Sequence, residues 1–454
     1  MWMEAGLPDR LKRTGGAPKV GIVHLGPGAF FRAFNAIYTD EVRGDAPWGI
    51  CAVSLKSPTA RDQLMPQGGA YTAVELGPEG EVRRVIGSIA RVLVAPEDPA
   101  AVVDAMADPA VRIVSLTITE KGYCHNPSTG ALDPAHPDIV HDLENLGAPR
   151  SAVGFICAAL DRRRTQGEAP FTVLSCDNLP SNGVLAKGVV LDFARRVSPE
   201  LADWIAAEVP FPATMVDRIT PATTEADVSR LAEAEGYEDP AMVVHEPFRQ
   251  WVIEDRFASG RPDWDKAGAQ FVESVEAHEL MKLRCLNGTH STLAYLGYLA
   301  GHETISDAVA DPVFAALCER LWAEEILPTV PQPEGEDLPA YAAALLERYR
   351  NPAIRHRTWQ IAMDGSQKLP QRLLEPALVA LERGQSLDPF AFSVAAWMRY
   401  AIGAKDDGTT FALRDPREAA IRAVVEGAGR NALALATALL ALPGLFPARL
   451  VETP

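Results

Sequence analysis

At 454 residues the chain is too long for one ordinary hydrophobic core, so two domains are expected. Hydrophobic residues make up 47% and charged residues 23%, ordinary values for a globular protein in water. The net charge of −17 argues against nucleic acid or an anionic membrane surface as the main partner, while leaving a small anionic substrate open.

Six dispersed cysteines (Cys51, Cys124, Cys157, Cys176, Cys285, Cys318) with no C-x-x-C pair suggest reduced thiols, a cytoplasmic setting and no structural zinc. The N-terminal Met-Trp-Met-Glu-Ala-Gly lacks the basic and apolar blocks of a signal sequence. The longest apolar run, Ala432 to Leu442, is too short for a bilayer and reads as a buried C-terminal helix.

Residues 1–18 read as a loose lead-in. Lys19 to Leu25 is a buried strand, followed at once by Gly26-Pro-Gly28-Ala29-Phe30-Phe31-Arg32 and a helical pattern through Phe34, Ile37 and Tyr38. Strand, glycine turn and helix let a backbone approach a pyrophosphate, with the helix N-terminus aimed at it. The third glycine of the usual fingerprint is missing, and a plain strand-to-helix turn looks the same. Trp48 to Leu55 is the second parallel strand, and Ser57-Pro58 reads as an N-cap followed by proline at the first helical position. No acidic residue stands where an NAD ribose would want one, and Lys56 is nearby, so NADP is not excluded.

Residues 70–94 read as an inserted β-hairpin, and Asp98 to Met106 as a helix. Ile113 to Thr119 is a buried strand ending at Glu120, which is either a site residue at a strand's carboxyl end or a solvated loop acid. A helix from Ser151 to Arg164 leads to a strand, Phe171 to Cys176, which ends in Asp177-Asn178-Leu-Pro. That ending is either turn chemistry or a place for an oxyanion donor. Then follow Met215-Val216-Asp217-Arg218, a helix near 223–235 and strands near 241–254 and 268–275. From 276 on the signals are helical: 276–300, 311–326, 337–349, 353–363, 371–384, 388–402, 415–427 and 429–442. The expected fold is α/β, an N-terminal Rossmann-type dinucleotide-binding domain with insertions over 1–280 and a mostly α-helical C-terminal domain over 281–454.

One stretch organises the rest, Glu279 to His290. If it is an α-helix with Lys282 at zero, Leu293, Leu286, Glu279, His290, Leu283 and Asn287 lie at roughly 20°, 40°, 60°, 80°, 100° and 140°. An ammonium, a carboxylate, an imidazole and an amide then share an arc with three leucines. Lysine on such an arc loses hydration and can act as a general base near neutrality. The same spacing also serves a Lys282–Glu279 structural ion pair beside a core histidine.

Five motifs in order resemble the mannitol dehydrogenase family of long-chain polyol dehydrogenases. They are Gly21 to Ala33, Thr117 to Tyr123, Ser175 to Asn178, Met215 to Pro221, and Lys282-x-x-x-x-Asn287-x-x-His290. The likeness is greatest to the fructuronate reductase (D-mannonate oxidoreductase) branch, carried by Glu246 to Asp255, Arg261 to Lys266 and His356 to Arg372. Gln360 stands about where mannitol-oxidising members carry an arginine.

The resemblance implies NAD as cofactor, held at Gly26, Gly28, Ala29, Phe30 and Arg32, with Glu120, Val216 and Asp217. It makes Lys282 the base, Asn178 and Asn287 the alkoxide donors, His290 a substrate-orienting group and Glu279 a proton outlet, with no metal. A sugar acid or polyol is the implied partner; a substrate carboxylate is expected at Lys368 and Arg372, which flank Leu369-Pro370 where the chain is expected to turn back, with Gln360 alongside. The expected reaction interconverts fructuronate and D-mannonate; oxidation of mannitol or another polyol, and a nucleotide-binding sensor without turnover, are the alternatives. A monomer or weak homo-oligomer, without nucleic acid or membrane, completes the expectation.

Overall fold

A computed structural model of the chain describes residues 9–44, 48–126, 129–429 and 431–452. The chain divides into two compact units, Met1–Val275 and Glu276–Pro454. The expected lead-in over 1–18 falls partly outside the described residues.

The first unit is built on a parallel sheet of five strands, β1 (Val20–Leu25), β2 (Gly49–Ser54), β3 (Ile89–Val94), β4 (Ile113–Leu116) and β5 (Thr172–Ser175). Their spatial order is β3-β2-β1-β4-β5. These runs are mostly apolar because both faces are covered, with His24, Ser115, Thr172 and Ser175 as buried polar exceptions. Val23, Leu25, Val53 and Val114 pack on one side with Phe155 and Phe193, while Ile22, Ile50, Ile113 and Leu174 pack on the other with Phe34 and Trp251. Strand order reverses beside β1, between β2 and β4, and in such sheets ligands sit outside the carboxyl ends at that reversal.

The structure corrects several expectations. Only Tyr71–Gly77 and Gly80–Ile86 form the hairpin; the rest of 70–94 becomes β3. Asp40 accepts from the Gly87 N–H and the Ser88 hydroxyl donates to Ala36 O, which redirects the chain between hairpin and sheet. Ser57 is no N-cap: the helix is Thr59–Leu64, and the Ser57 hydroxyl reaches the Thr59 side chain rather than a backbone N–H. Outside the main sheet, Thr214–Asp217 pairs antiparallel with Gln250–Glu254, itself parallel to Gln270–Val272. Helices Asn182–Val197 and Pro199–Glu208 were not foreseen; the first starts without a side-chain cap, at Ser181 with φ of 48°.

The second unit is helical. Its first helix runs unbroken through Glu276–Met281, a π-helical segment Lys282–Gly288, and Thr289–Ala300. Two more π segments, Trp322–Ile326 and Pro370–Leu374, continue the helices Pro312–Leu321 and Gly365–Leu369. The chain therefore does not turn back at Pro370, whose φ of −52° and ψ of −55° are helical. Proline lacks a backbone N–H, and the wider π turn accommodates it without ending the helix. A helix Ile305–Ala310, with a Thr304/Asp307 capping box, was missed, and the one expected at 353–363 is only Thr358–Ala362. The apolar run Ala432–Leu440 is helical but buries only Leu435 and Leu439, while Leu433 is 77% exposed. Alanine fills much of it, so exposing that face costs little.

Candidate active site

At the end of β1 the backbone turns through Gly26, whose φ is +93°. A Cβ there would stand 2.2 Å from Thr117 O, so only glycine fits. Gly28, extended at φ −71° and ψ −176°, leads into the helix Ala29–Ala33 with no side chain capping it. Beneath the turn, His24 is fully buried, stacks on Phe31 at 3.6 Å, and meets Ser115 Oγ at 2.8 Å and Thr117 Oγ1 at 2.9 Å. Burial pushes its pKa down to about 3, so the ring is a neutral prop. Phe30 is partly buried against the core and stacks on Phe34, while Arg32 is buried, with an Nε that finds no hydrogen-bond partner.

The ends of β4 and β5 are tied by Asp177, which the sequence reading passed over in favour of its neighbour. Its carboxylate accepts from Ile118 N (3.1 Å), Thr119 N (2.7 Å) and the Tyr123 hydroxyl (2.7 Å). Thr117 N still donates to Leu25 O, but the bonds to Asp177 draw 118–119 away from the sheet, so β4 ends at Leu116 and Thr119 takes φ of +64°. Burial nevertheless raises the Asp177 pKa above the usual carboxylate value. Buried Asn182 completes the tie, donating to Asp177 O and Thr214 O. Glu120 and Asn178 are exposed beyond these strand ends, and Val216 and Asp217 are buried in the strand Thr214–Asp217.

In the second unit, Lys282 opens the π segment, Asn287 lies near its end, and His290 begins the helix beyond. A π turn closes i→i+5 rather than i→i+4 bonds, so the even 100° arc expected over Glu279–His290 does not carry across it. Lys282, Leu286 and His290 are buried at 9%, 5% and 5% exposure, whereas Glu279, Leu283 and Asn287 are half-buried.

Around His290 is a cluster the sequence showed only in part. Its ring stacks on Tyr349 at 5.1 Å and meets His356 edge-on at 4.7 Å. His290 Nε2 and His356 Nδ1 are both buried without a hydrogen-bond partner. Burial holds both imidazoles neutral, His356 at about 4 and His290 well below its ordinary value, with Arg372 and Lys368 adding to the depression. Arg372 donates to Ser291 Oγ at 3.0 Å. The Lys368 ammonium donates to Met363 O (2.7 Å) and Ile361 O (3.2 Å), and burial, with Arg372 beside it, lowers its pKa to about 8. Gln360 is exposed, and Arg355 and Arg357 reach Glu303 from solvated positions. Among the described residues no three His, Cys, Asp or Glu side chains gather as a metal ion would require. No sequence signal pointed to Tyr349, which lies near the end of an ordinary amphipathic helix; His356 opens a stretch that carries the family resemblance, but nothing in the sequence set it against His290.

The profile of the mannitol dehydrogenase Rossmann domain matches residues 20–266, and that of the mannitol dehydrogenase C-terminal domain matches residues 274–450. D-mannonate oxidoreductase from Escherichia coli (strain K12) is 50% identical over 434 residues, covering 94% of this chain and 88% of its own length. Mannitol 2-dehydrogenase from Aspergillus terreus is 42% identical over 437 residues, covering 93% and 87%. The solved Pseudomonas fluorescens mannitol 2-dehydrogenase, a ternary complex with NAD and D-mannitol, superposes with a TM-score of 0.82 at 39% identity, covering 96% of this chain and 89% of that one.

Proposed function

Because the chain belongs to the mannitol dehydrogenase family, we propose that it is an NAD-linked oxidoreductase interconverting D-mannonate and fructuronate, with Lys282 as general base. The glycine turn fits a dinucleotide: Gly26 permits the tight bend, and the uncapped start of the helix after Gly28 leaves backbone N–H groups for a phosphate. When bound, NAD accepts the hydride in oxidation and NADH returns it in reduction. Lys282 takes the hydroxyl proton in oxidation and gives it back in reduction, Asn287 donates to the developing alkoxide, and His290, neutral, hydrogen-bonds a substrate hydroxyl.

The observation that carries the substrate is the cation pair Lys368 and Arg372, set beside two neutral imidazoles. Asp364, 3.9 Å from the Lys368 ammonium, offsets part of the repulsion between the two partly desolvated cations, and a substrate carboxylate beside them would relieve more of it while making charge-assisted bonds. A uronate carries that carboxylate; the matching ketose does not. The test is kcat/KM with NADH for fructuronate and for fructose. Fructuronate is expected to win by tenfold or more, the value of about 1.5 kcal/mol for one charge-assisted bond. Equal efficiency with the two sugars would move the chain to the polyol reading, as in its mannitol 2-dehydrogenase relatives.

A further inference from the structure

The π segment Lys282–Gly288 is held open by side chains from other elements, and they point at its carbonyls. Where a helix passes between i→i+5 and i→i+4 bonding, carbonyls lose their usual donors and something else must satisfy them. Here the donors come from three places. Trp322 Nε1 donates to Cys285 O at 3.0 Å, the Tyr349 hydroxyl to Leu286 O at 2.9 Å, and Arg372 to Asn287 O at 3.5 Å. Thr289, on the helix itself, donates to Cys285 O at 2.6 Å, and its Oγ1 lies 2.9 Å from the Tyr349 hydroxyl. The rings of Trp322 and Tyr349 stack at 6.3 Å, and Tyr349 continues the stack onto His290. Gly288 lets the other two π segments close in. A Cβ there would meet Arg372 O at 3.0 Å, and the side chains of Leu373 and Ile326 at 3.7 and 3.8 Å.

We propose that Tyr349 and Trp322 are positioning residues for catalysis: their hydrogen bonds hold the π turn whose extra width sets where Lys282 points relative to Asn287 and His290. An unbroken α-helix over the same stretch would rotate the two ends against each other, and the lysine would leave the register of the amide and imidazole that follow it. Tyr349 does this twice over, gripping Leu286 O with its hydroxyl and the His290 ring with its face. Neither residue touches the reacting atoms. The proposal rests on the reading of Lys282, Asn287 and His290 as the catalytic set.

The test uses the full-length enzyme and its Tyr349→Phe, Trp322→Phe and Lys282→Ala variants, with NADH and whichever of fructuronate or fructose wild type reduces faster. Tyr349→Phe keeps the ring and removes only the hydroxyl. It should lower kcat at least tenfold, leave KM for NADH within twofold, and displace the pH profile of kcat. Hydrogen–deuterium exchange of the 282–290 amides should rise in both aromatic variants while the Rossmann sheet stays protected. If Tyr349→Phe fails to fold, Trp322→Phe reads the bond to Cys285 O by the same measurements. Wild-type kcat, pH profile and exchange in a folded variant would overturn the proposal, even with Lys282→Ala inactive. If Lys282→Ala instead keeps its rate, the base assignment falls; faster exchange with lower kcat in Tyr349→Phe then still supports the positioning role for Asn287 and His290.

Discussion

Lys282 has only 9% of its surface exposed, at the start of a widened turn, and lies apart in sequence from the glycine turn. Lys282→Ala should lower kcat by about 10² to 10⁴, the usual contribution of a general base, while NADH binding followed by fluorescence is unchanged. Small primary amines should restore part of the rate; a variant keeping half its kcat would make Lys282 structural. Lys368 carries a pH signature. Its pKa, lowered to about 8 by burial and Arg372, means that it is charged below pH 8 and loses its charge as pH rises through that value. The ratio of kcat/KM for fructuronate over fructose should therefore fall between about pH 7 and 9, since a protonation shared by both substrates cancels in the ratio. Lys368→Met should flatten that ratio and lower it roughly ten- to a hundredfold. Arg372→Met should lower it too, but with a loss of kcat for both sugars, because Arg372 also grips Asn287 O and Ser291 Oγ.

At the scale of elements, helix ends and π turns depend on side chains distant in sequence. The helix Asp388–Ala401 follows Leu387, which cannot cap it, and Glu325, fully buried, accepts from Phe390 N at 2.6 Å in its place. Burial pushes the Glu325 pKa up to about 7. The folded state thus keeps a proton that the unfolded chain releases near pH 4.5, the ordinary value for glutamate. This contribution to stability is complete below pH 4.5 and is lost as pH rises through about 7, since stability falls with pH wherever the folded state binds more protons. Thermal midpoints should decline from pH 5 to 8, and Glu325→Gln should decline less; identical slopes would mean that Glu325 titrates normally. After β2, Lys56 is exposed and the next helix starts only at Thr59. NADH is expected to outperform NADPH in kcat/KM, and a reversed preference that Lys56→Asp undoes would assign Lys56 to a 2′-phosphate.

At the scale of the whole molecule, the first unit has its own layers on both faces of its sheet, all drawn from before Val275. Residues 9–275 made alone should fold cooperatively and bind NADH, checked by circular dichroism and fluorescence; a molten product would show that the second unit is required. The α/β class, the glycine turn, the change to helices after 276 and the lysine–asparagine–histidine spacing were legible in the sequence. Each is local: apolar runs, backbone freedom at Gly26 and side-chain type are properties of short stretches. Tertiary structure alone decided that Ile89–Val94 leaves its hairpin for the sheet, because Asp40 and Ala36, far back in the chain, take the hydrogen bonds that turn it. It alone made the segment Lys282–Gly288 π rather than α, because the donors for Cys285 and Leu286 carbonyls come from Trp322 and Tyr349. It also carried the helix through Pro370 and set His356 against His290. Periodicity assumes a uniform helix satisfied by its own backbone, and at this site the backbone is satisfied by residues that only folding brings near.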